Sequence, residues 1–300
     1  MKLIKPSFQI IEPTGYTIND IYKSIELVGR VSHKSEDRIT EDSAKEFVDR
    51  MIKSGHGAVL EHGTVYLRYD FKAKEDSNRI AYRLWSKYNE NKYSESVQAQ
   101  PIPGVPNGFV AITTNYRVLV ENNWLDDLKY LCEPTEYHHK RYTVKFICDR
   151  GILAEFTRHR KFSFMAESTR YCNYSKDKFN NEITYIIPCW MNLEEGSYNN
   201  GKYYNLIATP YLVKGTTEEI FLLKLVGDEL DYFELLEKGW KPQQARAVLP
   251  SALKTELYMC GFAEDWKKFF ELRCASNAHP QARELAIPLY EEFKNKNYIV

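Results

Sequence analysis

A fourteen-residue stretch of the chain concentrates side chains that bind anions and polarise flat rings. Arg158, His159 and Arg160 stand together, and Ser168 and Arg170 follow after a seven-residue interval. A guanidinium stays charged at any working pH and presents a rigid fork of donors that matches a phosphate or a carbonyl edge. These residue types therefore predict a pocket for a nucleotide, which carries both a phosphate and a flat ring.

An Arg-His-Arg triplet also occurs on the solvated face of an ordinary helix end, so the triplet alone decides little. The sequence at 163–165, Ser-Phe-Met, interrupts the helical pattern between the triplet and the second polar cluster. Two polar clusters separated by a bend can face one ligand, which favours the pocket.

The sequence RHRKFSFMAESTRY at 158–171 resembles the signature of the flavin-dependent thymidylate synthases, in which Arg-His-Arg is followed by seven residues and Ser. Residues 54–62 are similar to the family's His-x4-Glu-His element, and residues 246–250 and 272–273 are similar to its C-terminal elements. The resemblance covers roughly the whole chain as one domain of residues 1–300, apart from 72–140, which look like an insertion within it.

The resemblance implies a reaction, the reductive methylation of dUMP to dTMP. Methylenetetrahydrofolate would supply the carbon unit, and FAD reduced by NADPH would supply the hydride. In such an enzyme the cofactor performs the redox chemistry, and the protein positions the reactants against it. The family also assembles as a homotetramer whose subunits share their active sites, so the resemblance implies this assembly here.

The resemblance further implies the roles of particular residues. One group would bind dUMP: Glu155, Arg158, Glu167, Ser168, Arg170, Arg246 and Arg273. A second group would line the FAD site: His56, Arg158, His159 and Arg160.

Arg273 is the residue expected to act in catalysis. By resemblance it activates dUMP, because a fixed guanidinium at the N3/O4 edge of uracil stabilises negative charge on the ring without a proton transfer. The alternative is a surface role, in which Arg273 pairs with Glu271 or another acidic neighbour on an exposed helix.

Two other residues could suggest covalent catalysis. Cys189 follows Pro188, as in conventional thymidylate synthases, but its apolar surroundings predict a raised thiol pKa and an inert side chain. Ser168 would need a positioned base to act as a nucleophile, and the sequence shows none, so a hydrogen-bonding role is expected.

Several positions depart from the family pattern. Many members carry Asn-Glu where this chain has Met165 and Ala166, and the acidic residue here is Glu167. Glu155 occupies a position that is often Gln, so its carboxylate accepts a bond from uracil N3 only while that nitrogen is protonated. Phe262 and Lys268 stand where some members use Asn near the flavin, and we assign neither a role.

Composition narrows the class of protein. Lys and Arg total 41, as do Asp and Glu, so no overall field attracts the chain to nucleic acid or to an anionic membrane. The N-terminal residues lack the apolar core of a secretion signal, and no apolar run is long enough to span a bilayer. We therefore expect a soluble, intracellular, cytoplasmic protein without nucleic-acid or membrane partners.

The cysteines and histidines of the sequence also lack the spacing that is typical of metal ligands. The six cysteines contain no Cys-x-x-Cys pair, and neither the pair His56 and His62 nor the pair His138 and His139 has the i,i+4 spacing that aligns two imidazoles on a helix. The sequence predicts no metal site and free thiols.

The elements that must position these groups are read from apolar periodicity. The pattern predicts an α+β protein, with a mixed, largely antiparallel sheet and packed helices. Strands are expected at 8–12, 64–71, 109–120 and 144–148, helices at 18–28, 44–52, 151–161, 216–238, 264–274 and 281–294, and a short helix followed by a loop within 72–108.

Two alternative functions stay open. The chain could bind nucleotide and flavin without turnover, given Ala166 and Lys268. Less favoured is a module for single-stranded nucleic acid, suggested by 22 tyrosines and by the sequence Asn-Tyr-Arg at 115–117.

Overall fold

The structure is a computed structural model that describes residues 1–72, 75–101, 107–198 and 215–299. Its strands are β1 (Lys2–Ile4), β2 (Ser7–Ile11), β3 (Thr64–Lys72), β4 (Glu95–Ala99), β5 (Asn107–Asn115), β6 (Arg141–Asp149), β7 (Ser163–Ala166), β8 (Thr184–Ile186), β9 (Gly196–Ser197) and β10 (Lys254–Phe262). Its α-helices are α1 (Ile18–Arg30), α2 (Ser43–Lys53), α3 (Gly57–Leu60), α4 (Glu75–Asn89), α5 (Tyr116–Glu121), α6 (Arg150–Phe156), α7 (Thr217–Glu237), α8 (Pro242–Ala245), α9 (Ala263–Arg273) and α10 (Pro280–Asn295).

A four-stranded antiparallel sheet in the order β2-β6-β10-β7 forms the centre of the fold. The aromatic residues Phe146, Phe156, Trp266 and Phe269 are fully buried in one cluster between this sheet and α6, α9 and α10. Burial of each such side chain stabilises the fold by about 2–3 kcal/mol, so this cluster fixes the two helices that carry the predicted site residues.

A second antiparallel sheet has the order β3-β5-β4 and packs with α1, α2 and α4. Its strands β4 and β5 and the helix α4 lie within residues 72–140. The predicted short helix is α4, and the strand β4 that follows it was not predicted. Of the expected loop, residues 102–106 lie outside the described residues.

The predicted strand at 109–120 was wrong in its second half. The strand β5 ends at Asn115, whose side chain accepts a hydrogen bond from the Val118 amide at 3.2 Å and so caps α5. An Asn at this position satisfies an otherwise unpaired amide of the first helical turn, which favours helix over strand.

A third, small sheet has the order β8-β1-β9, with β1 parallel to β8 and antiparallel to β9. It packs against α7. The predicted α+β class with largely antiparallel pairing is confirmed, although the strands form three sheets rather than one.

The predicted helix boundaries are mostly confirmed. Thr17 and Thr216 each form a capping box at the start of α1 and α7, and Gly239 adopts a φ of 93° just after α7 ends. The helix expected at 151–161 ends earlier, at Phe156, because the chain turns at 157–162 to enter β7. No helix of the described segments is long and apolar enough to cross a bilayer.

Candidate functional site

Arg273 and Glu155 form an ion pair between the ends of two helices. Arg273 is the last residue of α9, and its Nη1 donates to Glu155 Oε2 at 2.6 Å while its Nη2 donates to the Glu155 carbonyl at 2.7 Å. The side chain of Arg273 is 16% exposed. The expected alternative, a surface pair with Glu271, is not present, so the guanidinium is held in one orientation by a residue of α6.

His159 completes this group. Arg273 Nε donates to His159 Nε2 at 3.0 Å, and burial, followed by the charge of Arg273, lowers the pKa of His159 to about 4. A guanidinium can only donate, so Nε2 is the acceptor and the single ring proton lies on Nδ1. We call Glu155, His159 and Arg273 the arginine cluster.

The second group of predicted residues lies in the loop that follows β7. Glu167 is buried, and its carboxylate accepts hydrogen bonds from Lys254 Nζ at 2.8 Å and from the Tyr174 hydroxyl at 3.3 Å. The Ser168 amide donates to the Ser32 carbonyl at 3.1 Å. The loop is therefore tied to two distant parts of the chain.

Arg246 joins this loop from the C-terminal half of the chain. Its Nη1 donates to Thr169 Oγ1 at 2.9 Å, and the rest of its side chain is exposed. Ser168 Oγ accepts a hydrogen bond from the Arg170 amide at 3.3 Å, which leaves the hydroxyl proton free to donate. We call residues 167–170 together with Arg246 the serine loop cluster.

Helix α6 connects the two clusters. Its first residue, Arg150, donates from Nη1 to the Glu167 carbonyl at 3.4 Å, while Glu155 near its other end holds Arg273. The rise between Arg150 and Glu155 is roughly 8 Å along the helix axis. Helix α6 therefore contacts residues of both clusters.

A buried carboxylate between three lysines supports the serine loop cluster, and sequence reasoning missed it. Glu256 on β10 forms ion pairs with Lys34 at 2.8 Å, Lys145 at 2.7 Å and Lys254 at 2.6 Å. Burial raises the pKa of Glu256, but the lysines outweigh this effect and hold the pKa well below its ordinary value. The alternation of Lys254 and Glu256 on one face of a strand was the only available signal.

The remaining predicted residues are exposed. The side chains of Arg158 and Arg160 make no hydrogen bond or ion pair with any residue that the structure describes. Arg170 lies over the Tyr171 ring, 5.3 Å from its centre. These guanidiniums point to solvent in the single chain, and they are chemically suited to the phosphates of a dinucleotide.

His56 acts electrostatically on His33, and His33 contacts Tyr171, the residue that follows the serine loop cluster. The ring of His33 stacks on Tyr171 at 4.2 Å, and burial, the charge of Lys178 and then that of His56 lower the pKa of His33. His56 itself is exposed. Among the described residues, the side chains of His56 and Arg160 form no hydrogen bond or ion pair with Glu155, His159 or Arg273.

Phe262, one of the positions that depart from the family pattern, packs against a charged side chain. The guanidinium of Arg141 lies over the ring of Phe262, 5.6 Å from the ring centre.

Cys189 is on the surface, where desolvation and then the charge of Glu284 raise the pKa of its thiol, as its apolar neighbours predicted. A thiol with a raised pKa is a poor nucleophile.

The tripeptide that suggested nucleic-acid stacking does not present a stacking surface. Tyr116 is buried and its hydroxyl lies 3.0 Å from that of Tyr22. Arg117 pairs with Glu61 at 2.6 Å and with Glu121 at 2.7 Å. Both side chains are used within the chain.

Comparison with known proteins identifies the family of the chain. A sequence model of the family described as thymidylate synthase complementing protein matches residues 121–297. The flavin-dependent thymidylate synthase of Pyrococcus furiosus is 28% identical over 51% of this chain and 53% of its own length, and that of Synechocystis sp. is 27% identical over 48% and 62%. The chain thus spans between about half and three fifths of the length of these relatives.

A comparison with solved structures also found a protein that is similar to this chain. The UMP/dUMP methylase PolB from Streptomyces cacaoi, bound with 5-Br UMP, superposes with a TM-score of 0.41 at 14% identity, covering 98% of this chain and 92% of that chain. The family match alone spans more than half of the 300 residues, and the chain therefore belongs to the thymidylate synthase complementing protein family.

Proposed function

We propose that this protein catalyses the reductive methylation of dUMP to dTMP, with methylenetetrahydrofolate as carbon donor and FAD and NADPH as the source of the hydride. The observation that carries the proposal is the fixed guanidinium of Arg273, which is held by Glu155 and by His159 of the signature sequence. The 28% identical relative, a flavin-dependent thymidylate synthase, supports the same activity.

Arg273 is suited to bind the reacting edge of uracil. A guanidinium has five N–H donors, and three of those of Arg273 are used by Glu155 and His159. The remaining two donors are free to face the N3 and O4 edge of the ring. A fixed positive charge at this edge stabilises the negative charge that develops as C5 acts as a nucleophile.

His159 contributes by staying neutral. Since its pKa is lowered to about 4, it carries no charge at neutral pH and accepts from Arg273 instead of repelling it. It is a positioning residue, because it fixes the guanidinium rather than the substrate. Glu155 fixes the other side of the same group.

The serine loop cluster is suited to the phosphate. Arg246 and Arg170 have exposed guanidiniums, and the Ser168 hydroxyl keeps its proton free for an anionic oxygen. Both oxygens of Glu167 are occupied by Lys254 and Tyr174, so we assign this residue to positioning the loop. Its predicted direct contact with dUMP remains a prediction.

The flavin would be held by His56, Arg158, His159 and Arg160. Bound there, FAD supplies the hydride for reduction of the transferred carbon. Arg158 and Arg160 fit this role because their donors are not taken up by the described residues and match a pyrophosphate. Since these side chains are exposed, we propose that a homotetramer completes each site with residues from neighbouring subunits.

Flavin retention tests this proposal directly. The purified chain is expected to be yellow, with the absorbance of oxidised flavin, and added dUMP should perturb that spectrum because the uracil ring would lie against the isoalloxazine. A colourless protein that takes up no added FAD would contradict the proposal.

A second candidate is a nucleotide- and flavin-binding protein without turnover. Phe262, packed under Arg141, cannot supply the amide that some family members place near the flavin. Spectral perturbation by dUMP without any dTMP formation would favour this candidate.

A further inference from the structure

A cavity of about 170 Å³ lies between the two larger sheets, where α1 and the start of β3 meet the start of β6. We propose that this cavity binds a small planar aromatic carboxylate. Among the residues that the structure describes, three features carry the proposal: a buried histidine whose ring nitrogens make no hydrogen bond of normal geometry, an arginine that forms no ion pair with a carboxylate, and aromatic walls.

His62 is the first feature. It lines the cavity and is only 3% exposed, yet neither ring nitrogen has a hydrogen bond of normal geometry within the described residues. Leaving such a buried polar group unsatisfied is costly, and a ligand that pairs with it removes that cost. Burial and the nearby Arg141 lower the pKa of His62 to about 3, against a smaller, opposing effect of the Phe164 backbone. The ring is therefore neutral and offers one donor and one acceptor.

Arg141 is the second feature. Its guanidinium donates to the Glu61 carbonyl at 3.2 Å, to Thr64 Oγ1 at 3.2 Å and to Ser163 Oγ at 3.3 Å. These partners are all uncharged, and no carboxylate of the described residues forms an ion pair with Arg141. Two of its five donors are left over. A carboxylate is the group that such a guanidinium binds best.

The charges around Arg141 do not neutralise it. Lys140 also lines the cavity, and the carboxylate that lines it, Glu12, is already paired with Lys296 at 2.9 Å. Burial raises the pKa of Asp265, and Lys161, Lys268 and Arg141 act against this rise, but Asp265 does not contact Arg141. The wall of the cavity is thus net positive.

Tyrosine rings form the third feature. Tyr16, Tyr66, Tyr142 and Tyr298 all line the cavity. Tyr142 and Tyr298 are stacked with their centres 4.1 Å apart, and Tyr16 meets Tyr66 edge-on at 5.9 Å. Aromatic walls favour a flat ring as the occupant, and a cavity of roughly 150 Å³ is large enough to hold benzene.

This cavity is separate from the proposed catalytic site. None of the residues assigned to dUMP or to the flavin lines it. The proposal therefore does not depend on the methylation activity, and it concerns a second ligand of different chemistry.

Isothermal titration calorimetry of the full chain with benzoate tests the proposal. We expect one benzoate per chain, unaffected by saturating dUMP, and binding of benzamide weaker by about tenfold or more because it lacks the charge that Arg141 attracts. Cyclohexanecarboxylate, which keeps the charge but not the flat ring, should also bind more weakly.

Two variants locate the site. Arg141→Gln should weaken benzoate by about tenfold or more, while Arg83→Gln on the exposed face of α4 should not. Ser24→Phe places a ring inside the cavity and should abolish binding, while Lys23→Phe on the same helix, outside the lining, should not. If Arg141→Gln fails to fold, the comparison of Ser24→Phe with Lys23→Phe still shows whether benzoate binds in the cavity.

Three results would overturn the proposal. They are no binding at millimolar benzoate, displacement of benzoate by dUMP, and unchanged binding in Ser24→Phe.

Discussion

Arg273 Nε donates a hydrogen bond of 3.0 Å to His159 Nε2, across 114 residues of sequence. Since the guanidinium can only donate, this bond requires a neutral imidazole whose proton is on Nδ1. The lowered pKa of His159, about 4, agrees with that requirement. The orientation of Arg273 therefore depends on a neutral histidine.

Replacement of Arg273 should affect turnover more than folding. Arg273→Ala is expected to lower dTMP formation by at least about a hundredfold, since a fixed charge at the reacting edge is lost. Arg273→Lys keeps the charge but not the fork, and it should restore little activity. Steady-state assays and thermal melts of both variants separate the two effects. A turnover equal to that of wild type in Arg273→Ala would exclude the proposed role.

In contrast to Arg273, Cys189 is expected to contribute little to dTMP formation. Cys189→Ala should retain dTMP formation within about twofold, because an exposed thiol of raised pKa is not the nucleophile and surface changes have small effects. The same assay measures it. Full loss of activity in this variant would mean that catalysis proceeds through the thiol.

Arg158 is predicted to contact both dUMP and the flavin. Arg158→Ala should weaken flavin retention, dUMP affinity or both by roughly ten- to a hundredfold, because a charge-assisted hydrogen bond is removed. Arg83→Ala, also exposed but on α4, is the matched control. Flavin content after dialysis and a dUMP titration measure the two affinities, and unchanged values for both contradict this placement.

The buried lysine and glutamate network should matter for stability. Lys254→Met leaves Glu167 and Glu256 with one cation fewer, and it is expected to lower the free energy of unfolding by about 3 kcal/mol. Lys238→Met removes an exposed pair with Glu234, and it should change the free energy of unfolding far less than Lys254→Met does. Urea denaturation compares them, and equal effects would show that the network does not support the serine loop cluster.

His62 should make the protein less stable in mild acid. Its pKa is about 3 in the folded chain, against 6.5 for an unperturbed imidazole, so between these values the unfolded chain binds a proton that the folded chain does not. The free energy of unfolding therefore falls as pH decreases below 6.5, by up to about 1.4 kcal/mol per pH unit.

The matched variants isolate this contribution. His62→Gln should reduce the slope between pH 6.5 and 5, above the range where carboxylates titrate, and His159, whose pKa is also lowered, should keep part of the slope. His139→Gln, at an exposed histidine, should keep the slope. Denaturation at several pH values measures how the free energy of unfolding changes with pH. An unchanged slope in His62→Gln would show that other groups cause the acid sensitivity.

Local patterns predicted the helices of this fold well and its central strand poorly. Capping residues such as Thr17 and Thr216 act within one turn, so their effect can be read from the sequence. The strand β10 was not predicted, because almost every residue of it is buried and its sequence therefore lacks the alternation of a half-buried strand. Residues 116–120 were misassigned to a strand, because the Asn115 cap begins a helix there.

The contacts among the predicted site residues could not be predicted from the sequence. Arg273, Glu155 and His159 were all named from the resemblance, but the bonds among them join positions more than a hundred residues apart. The pairing of Lys34 with Glu256 spans 222 residues and has no local signal. Such contacts depend on tertiary packing, which residue spacing does not encode.

The most direct test of the central claim is an anaerobic assay for dTMP with dUMP, FAD, NADPH and methylenetetrahydrofolate, run on wild type and Arg273→Ala side by side. We expect the wild-type protein to form dTMP and the variant to bind dUMP but form almost none. Absence of dTMP from wild-type protein that holds both flavin and dUMP would contradict the account.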